Sequence, residues 1–399
     1  MTAATALAAL IRQDQGRLLA ALVARIGDFS RAEEALQEAL ASAHVHWGRA
    51  GVPSNPVAWL LRVGLRKAID GYRREGRETE KARNLAPLLR QEADLAEDIA
   101  DERLRLIFTC CHPVLDRKSQ VALTLRCIAG LTTAQIAAAF LDAEPTMGQR
   151  LSRAKARLAQ AGVGFVVPGP EAWTARLGAV LDVVYLVFNQ GYHQGPRAGC
   201  GLCEEALFLA RLLVTLCPDQ AEVEGILALM ALTHARRAAR IGSDGALVPP
   251  AEQDRTLWDA ALLAEGQRLL EAALPRRAPG PFQIKAALAA CIMAPEGPDW
   301  RQSLALYDAL LRFEPSPVIE LNRAVVLMEL GLLEAADALV ASLQADLACY
   351  QPLMAVQAEL HARQSRWAES RSAYAAAIAA APSAADALFL RKRLSALPH

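Results

Sequence analysis

A recurrence near the end of the chain constrains its fold more than any other feature. Trp300, Leu333 and Trp367 stand about 33 to 34 residues apart, and Tyr307, Val340 and Tyr374 keep the same interval. Pro315 and Pro382 lie two intervals apart. That period is the length of one helix pair with its turns, and so short a unit buries its apolar face only by stacking on its neighbours. Residues 299 to 390 are therefore expected to form stacked helix pairs with small residues at the packing positions. Composition extends the helical expectation to the whole chain. Hydrophobic residues make up 53% of it but aromatics only 5%, with alanine and leucine, both strong helix formers, carrying the apolar content. The expected fold class is all-α.

At 399 residues the chain exceeds what one core usually organises. Its polar and Gly/Pro-rich stretches divide it into residues 5–75, a linker at 76–99, residues 100–160 and residues 170–399. The 43 basic and 43 acidic residues cancel, so any nucleic-acid contact must come from local clustering. The first ten residues lack a basic n-region and a cleavage pattern, and no apolar run is long enough to span a bilayer. A cytoplasmic protein with eight reduced, buried cysteines is expected.

The first segment reads as helices. Gly27-Asp28 interrupts an apolar helical pattern, Ser30 and Glu33 have the spacing of a capping box, and the following helix presents Glu33, Glu34, Gln37 and Glu38 near one face. A loop from Gly48 to Asn55 precedes Pro56, which suits the first turn of the next helix. That helix carries Trp59, Leu60, Val63 and Ile69 on one side, and its cations are Arg62, Arg66, Lys67, Arg73 and Arg74. In the second segment a short helix, Ala134 to Phe140, a turn, and a longer helix, Met147 to Ala159, form a helix-turn-helix pattern. The longer helix holds Arg150, Arg153, Lys155 and Arg157 with no acid among them, the composition that major-groove docking requires. A solvated basic face is the plainer account of the same residues.

Together these runs resemble a known family. Gly27-Asp28-Phe29-Ser30-Arg31-Ala32-Glu33-Glu34-Ala35-Leu36-Gln37-Glu38-Ala39 resembles regions 2.1 to 2.2 of RNA polymerase sigma factors of the extracytoplasmic-function (ECF) type. Asn55 to Asp70 resembles regions 2.3 to 2.4, and the helix-turn-helix resembles region 4.2. Leu104-Arg105-Leu106-Ile107-Phe108-Thr109-Cys110-Cys111-His112-Pro113, Asn189-Gln190-Gly191-Tyr192 and Asp254-Arg255-Thr256-Leu257-Trp258-Asp259 are similar to the subgroup with a C-terminal tetratricopeptide-like (TPR-like) extension. Gln190 stands where that subgroup usually has glutamate.

The resemblance implies a promoter-specific initiation factor with no catalytic residue and no cofactor. It implies that Glu33, Glu34, Gln37 and Glu38 meet the β′ coiled coil, with the β subunit as further partner. Asn55, Trp59, Arg62, Arg66, Lys67, Arg73 and Arg74 would meet the −10 element, where opened DNA needs a base pocket and cations for a displaced strand. For Trp59, packing in the core is the stronger expectation. Thr146, Gln149, Arg150, Arg153, Lys155 and Arg157 would meet the −35 element, Gln149 and Arg150 at the bases and later cations at phosphate. The acidic run Glu92, Asp94, Glu97, Asp98, Asp101, Glu102 fits either a flexible tether or a strand that imitates nucleic acid in the polymerase cleft. The C-terminal part is expected to regulate the factor or to bind a protein or peptide.

Two rivals remain at this stage. A one-component DNA-binding regulator with a repeat scaffold would bind duplex DNA without polymerase. An enzyme in residues 171–295 would need converging acid, base or metal groups, and Asp254, Trp258 and His193 are far apart in sequence. Cys110-Cys111-His112 and Cys200-Gly201-Leu202-Cys203, with His193 and Cys217, have weak metal or redox spacing, and buried thiols are the default.

Overall fold

The computed structural model describes residues 3–74, 99–140, 142–194, 201–294 and 296–398. These residues hold eighteen α-helices and short 3-10 turns, and among them the only β pairing is an isolated bridge between Ile241 and Leu247. The all-α expectation is met. The chain divides into two compact units, Met1–Pro218 and Asp219–His399.

In the first unit, α1 (Ala3–Ile26), α2 (Phe29–Ala50) and α3 (Pro56–Arg74) pack against one another. Leu18, Leu19 and Leu22 of α1, Ala32, Leu36, Ala39 and Trp47 of α2, and Leu60, Leu61 and Leu65 of α3 form the buried core. Each of the buried leucines contributes about 2 kcal/mol through removal from water. Gly27, at φ 69°, ends α1, and Asp28 then takes an extended backbone and accepts the Arg31 amide at 2.9 Å. Asp28 is thus the N-cap of α2, in place of the expected Ser30, which already lies within the helix. The expected side of α3 is also revised. Leu60 and Ile69 are buried, but Trp59 and Val63 are only half-buried, and Leu61, Leu65, Ala68 and Tyr72 complete the inward face.

Four helices follow: α4 (Ile99–Cys110), α5 (Arg117–Cys127), α6 (Thr133–Ala139) and α7 (Glu144–Gln160). Thr132 and Gln135 form a reciprocal capping box that starts α6. Lys118 holds the turn after α6 from two sides, 3.0 Å from Asp142 and over the Phe140 ring. Met147, Leu151, Ala154 and Leu158 bury the inner face of α7. Next, α8 (Pro170–Gln194) and α9 (Leu202–Leu216) belong to the same compact unit. Trp173 packs on Phe108 at 5.3 Å between ring centres, Arg176 donates to the Phe108 carbonyl at 2.6 Å, and Arg117 pairs with Asp182 at 2.7 Å.

The second unit contains α10 (Ala221–Ala235), α11 (Ala260–Ala273) and α12 (Pro281–Ile292), then three helix pairs. These are α13 (Trp300–Phe313) with α14 (Pro317–Glu329), α15 (Leu333–Ser342) with α16 (Gln351–Arg363), and α17 (Trp367–Ala379) with α18 (Ala384–Ser395). The recurring Trp300, Leu333 and Trp367 each open the first helix of a pair. Three residues into each of those helices stand Ser303, Ala336 and Ser370, all wholly buried, so the helices approach closely where the side chain is small. The Asp254–Asp259 segment is built of turns. Asp254 accepts the Thr256 amide, Arg255 donates to the Ala294 carbonyl at 2.8 Å, and Asp259 caps α11 and pairs with Arg237 at 3.1 Å.

The turn before each pair repeats a left-handed residue: Gly297 at φ 106°, Gly331 at φ 76° and Ser365 at φ 58°. Serine bears a steric cost there that glycine avoids. Ser365→Gly should therefore stabilise the second unit by about 1 kcal/mol, read as a higher urea midpoint at unchanged slope. An unchanged or lower midpoint would show that the turn carries no strain.

Candidate nucleic-acid interface

Two polar surfaces of the first unit gather the residues singled out in the sequence. The first lies on α2 and α3. The Asn55 side chain accepts the Ala58 amide at 3.0 Å and so caps α3, with Pro56 in its first turn. Trp59 stacks on His46, with ring centres 5.6 Å apart and planes at 16°, and meets the edge of buried Trp47 at 5.5 Å. It is therefore a half-exposed aromatic face held by two neighbours, where core packing was expected. His46 was not foreseen, because nothing in the local pattern marks a histidine one turn from the end of α2 as the support of a tryptophan on another helix.

At 3.6 residues per turn, Trp59, Arg66 and Arg73 fall within about 40° of one another around α3. Arg66 and Arg73 are exposed. Arg62 is half-buried. Lys67 and Arg74 turn toward α2, where both approach Glu38, at 3.4 and 3.7 Å. Lys67 and Glu38, with Ala41, Ser42, Val45, His46 and Arg49, line a groove of about 540 Å³. An aromatic face beside two outward guanidinium groups suits stacking on an unpaired base with cations along the strand. Of the four α2 residues Glu33, Glu34, Gln37 and Glu38, Glu34 and Gln37 are exposed, Glu34 pairing with Arg31 at 3.3 Å within the helix, while Glu38 and Glu33 pair with cations of other helices.

The second surface is the outer face of α7. Thr146, Gln149, Arg153 and Arg157 are all exposed and, at 3.6 residues per turn, share an arc of about 80°. Arg150 sits at the edge of that arc, half-buried and 3.9 Å from Asp116. Burial opposes ionisation of the Asp116 carboxyl, but hydrogen bonds from Ser119 and the nearby Arg150 hold it below the usual carboxylate range. Lys155 projects about half a turn away from Thr146. Its ammonium lies 2.6 Å from one oxygen of Glu33, and Arg126 Nε lies 3.3 Å from the other. The structure thus divides the cations of α7. Arg153 and Arg157 face solvent with Thr146 and Gln149, whereas Arg150 and Lys155 face carboxylates of the same chain.

Among the described residues the cysteines are buried as expected, except Cys349, which is exposed. Cys110 and Cys111 are fully buried, and burial pushes both thiols up, that of Cys111 to about 11. Cys203 is buried against the Phe188 carbonyl, and burial raises Cys217 to about 11. Cys200 and the side chain of His193 lie outside the described residues, as do Glu92, Asp94, Glu97, Asp98 and the side chain of Asp101. Glu102 pairs with Arg105 at 3.1 Å.

Comparison with known families places names on these parts. Residues 10–78 match sigma-70 region 2, and residues 105–158 match sigma-70 region 4. Residues 176–274 match a family of unknown function, DUF6596. An uncharacterized protein of Rhizobium meliloti (strain 1021) is 41% identical over 392 residues, covering 95% of this chain and 93% of that protein.

Proposed function

We propose that this chain, which belongs to one family with the Rhizobium protein and carries regions 2 and 4 of an RNA polymerase sigma factor, is an ECF-type initiation factor with a TPR-like domain fused behind it. Region 2 would bind core polymerase through α2 and hold the opened −10 strand against Trp59, Arg66 and Arg73. Region 4 would read the −35 duplex with α7, Thr146 and Gln149 near base edges and Arg153 and Arg157 on phosphate. The single observation that carries this reading is the order of the two polar surfaces on matched regions: an aromatic and cationic face on α3, then a basic helix-turn-helix. Such a factor works in the cytoplasm and performs no bond chemistry of its own. The three helix pairs of the second unit would present a repeat surface to a protein or peptide partner or regulate promoter use.

The test is capture of core polymerase by the full chain. Glu34 and Gln37 are the α2 positions to vary, because Glu34 pairs only locally with Arg31 one turn away, whereas the ion pairs of Glu33 and Glu38 reach other helices and their loss confounds the result. Glu34→Lys together with Gln37→Lys should weaken capture at least about tenfold, since like charges then face a basic partner surface. If the unaltered chain captures no core but binds duplex promoter DNA alone, it is a one-component regulator instead.

A further inference from the structure

In a stack of helix pairs each pair touches only its neighbours, so the first and last elements stay independent of each other. The second unit departs from that rule. After α10 the chain folds back on itself over residues 240–248. Val248 donates to the Arg240 carbonyl and Gly242 to the Ala246 carbonyl, both at 2.8 Å, and Gly245, at φ 83°, makes the tight turn. This hairpin meets α18, the last helix. Leu247 donates to the Ala385 carbonyl at 3.3 Å, Asp244 pairs with Lys392, and Glu252, just beyond the hairpin, pairs with Arg393 at 2.6 Å. The paired residues stand 148 and 141 positions apart. Because α10, α12 and the three helix pairs pack in succession, the hairpin and α18 close that succession into a circuit.

The joint is built unlike the rest of the circuit. Between the helix pairs, buried side chains such as Leu321, Leu327, Val340, Leu353 and Leu360 share one apolar cluster. At the joint the ion pairs are about half exposed, Lys392 at 54% and Glu252 at 57%. Pairs so exposed shift an equilibrium by no more than about fivefold each, and salt weakens them. A cavity of about 280 Å³ is lined by Leu247 and Val248 of the hairpin and Phe389 of α18, so the two apolar sides do not close on each other there. Helix α18 itself buries only Leu390. The last helix is thus lightly held on both sides, and charge supplies most of its attachment to the hairpin.

We propose that the hairpin and α18 form a salt-sensitive clasp: closed, it joins the two ends of the second unit into one circuit, and open, it lets the last helix pair swing away from the hairpin. The clasp sets the curvature of the surface that the three pairs form, the surface on which a repeat domain takes a partner. It does not depend on the sigma-factor reading, because every group in it lies in the second unit.

The test is the distance between spin labels on Ala251→Cys and Ser395→Cys in the full chain, with Cys200→Ser and Cys349→Ser to limit labelling elsewhere. Both labelled positions are exposed. At low salt one short distance should dominate, and raising the salt about tenfold should increase the population of a longer distance about tenfold. Lys392→Glu with Arg393→Glu should raise that population at low salt by about 25-fold, the product of the two pairs. Adding Asp244→Lys and Glu252→Lys restores opposite charges across the joint and should bring the short distance back. That rescue separates loss of pairing from misfolding, since four substitutions disturb the fold more than two. A short distance unmoved by the charge reversal would overturn the clasp and leave the ends held by packing. A long distance that persists after the charges are exchanged would overturn it equally.

Discussion

Alanine at both Arg153 and Arg157 should lower the slope of log affinity against log salt by about two units and weaken duplex binding about a hundredfold at low salt. Both guanidinium groups are exposed on the outer arc of α7, and each phosphate neutralised releases its condensed counterion. The loss should be nearly the same on every sequence, because phosphate contacts position a protein without reading bases. Gln149→Ala should behave differently, relaxing preference at one base position with little change of slope. Titrations of the full chain on two unrelated duplexes across salt check both statements. A double variant with an unchanged slope would remove α7 from the DNA interface.

Trp47→Ala should destabilise the first unit by about 3–5 kcal/mol. Trp47 is 2% exposed and is among the largest fully buried side chains of the chain, so its removal leaves a cavity that α2 and α3 fill only in part. In a unit of this size the melting transition should fall by about 10 °C. Trp47→Phe should cost much less. The indole Nε1 has no hydrogen-bond partner among the described residues, so phenylalanine forfeits packing volume but no polar contact seen there. Because the edge of Trp47 supports Trp59, the alanine variant should also release the His46–Trp59 stack, visible as a change in tryptophan fluorescence. Unaltered stability in Trp47→Ala would contradict the packing described for α2 and α3.

Much of this protein is legible from local spacing. The 33-to-34-residue recurrence locates the first helix of each pair to the residue, because a repeat that must stack on its neighbours keeps its packing positions in register. Helix α7 is legible too, since Met147, Leu151, Ala154 and Leu158 follow the helical period that points them inward. The start of α2 is less so: Asp28 and Ser30 both suit an N-cap, and only the left-handed turn at Gly27 selects Asp28.

The sequence by itself determined the helical class, the three stacked pairs, the order of an α2–α3 surface before a basic helix-turn-helix, and the residue types on each. Those features depend on neighbours within a few turns, where the 3.6-residue period dictates which side chains share a face. Only the tertiary structure decided how the charges are used. Glu33 and Lys155 are 122 positions apart, Arg150 reaches Asp116 on another helix, and Trp59 leans on His46 across the gap between α2 and α3. An ion pair between distant segments leaves no periodic trace, because a charged residue suits a solvated face and a buried bridge alike. The packing of α1, α2, α5 and α7 alone divides the cations into two that face solvent and two held within the chain.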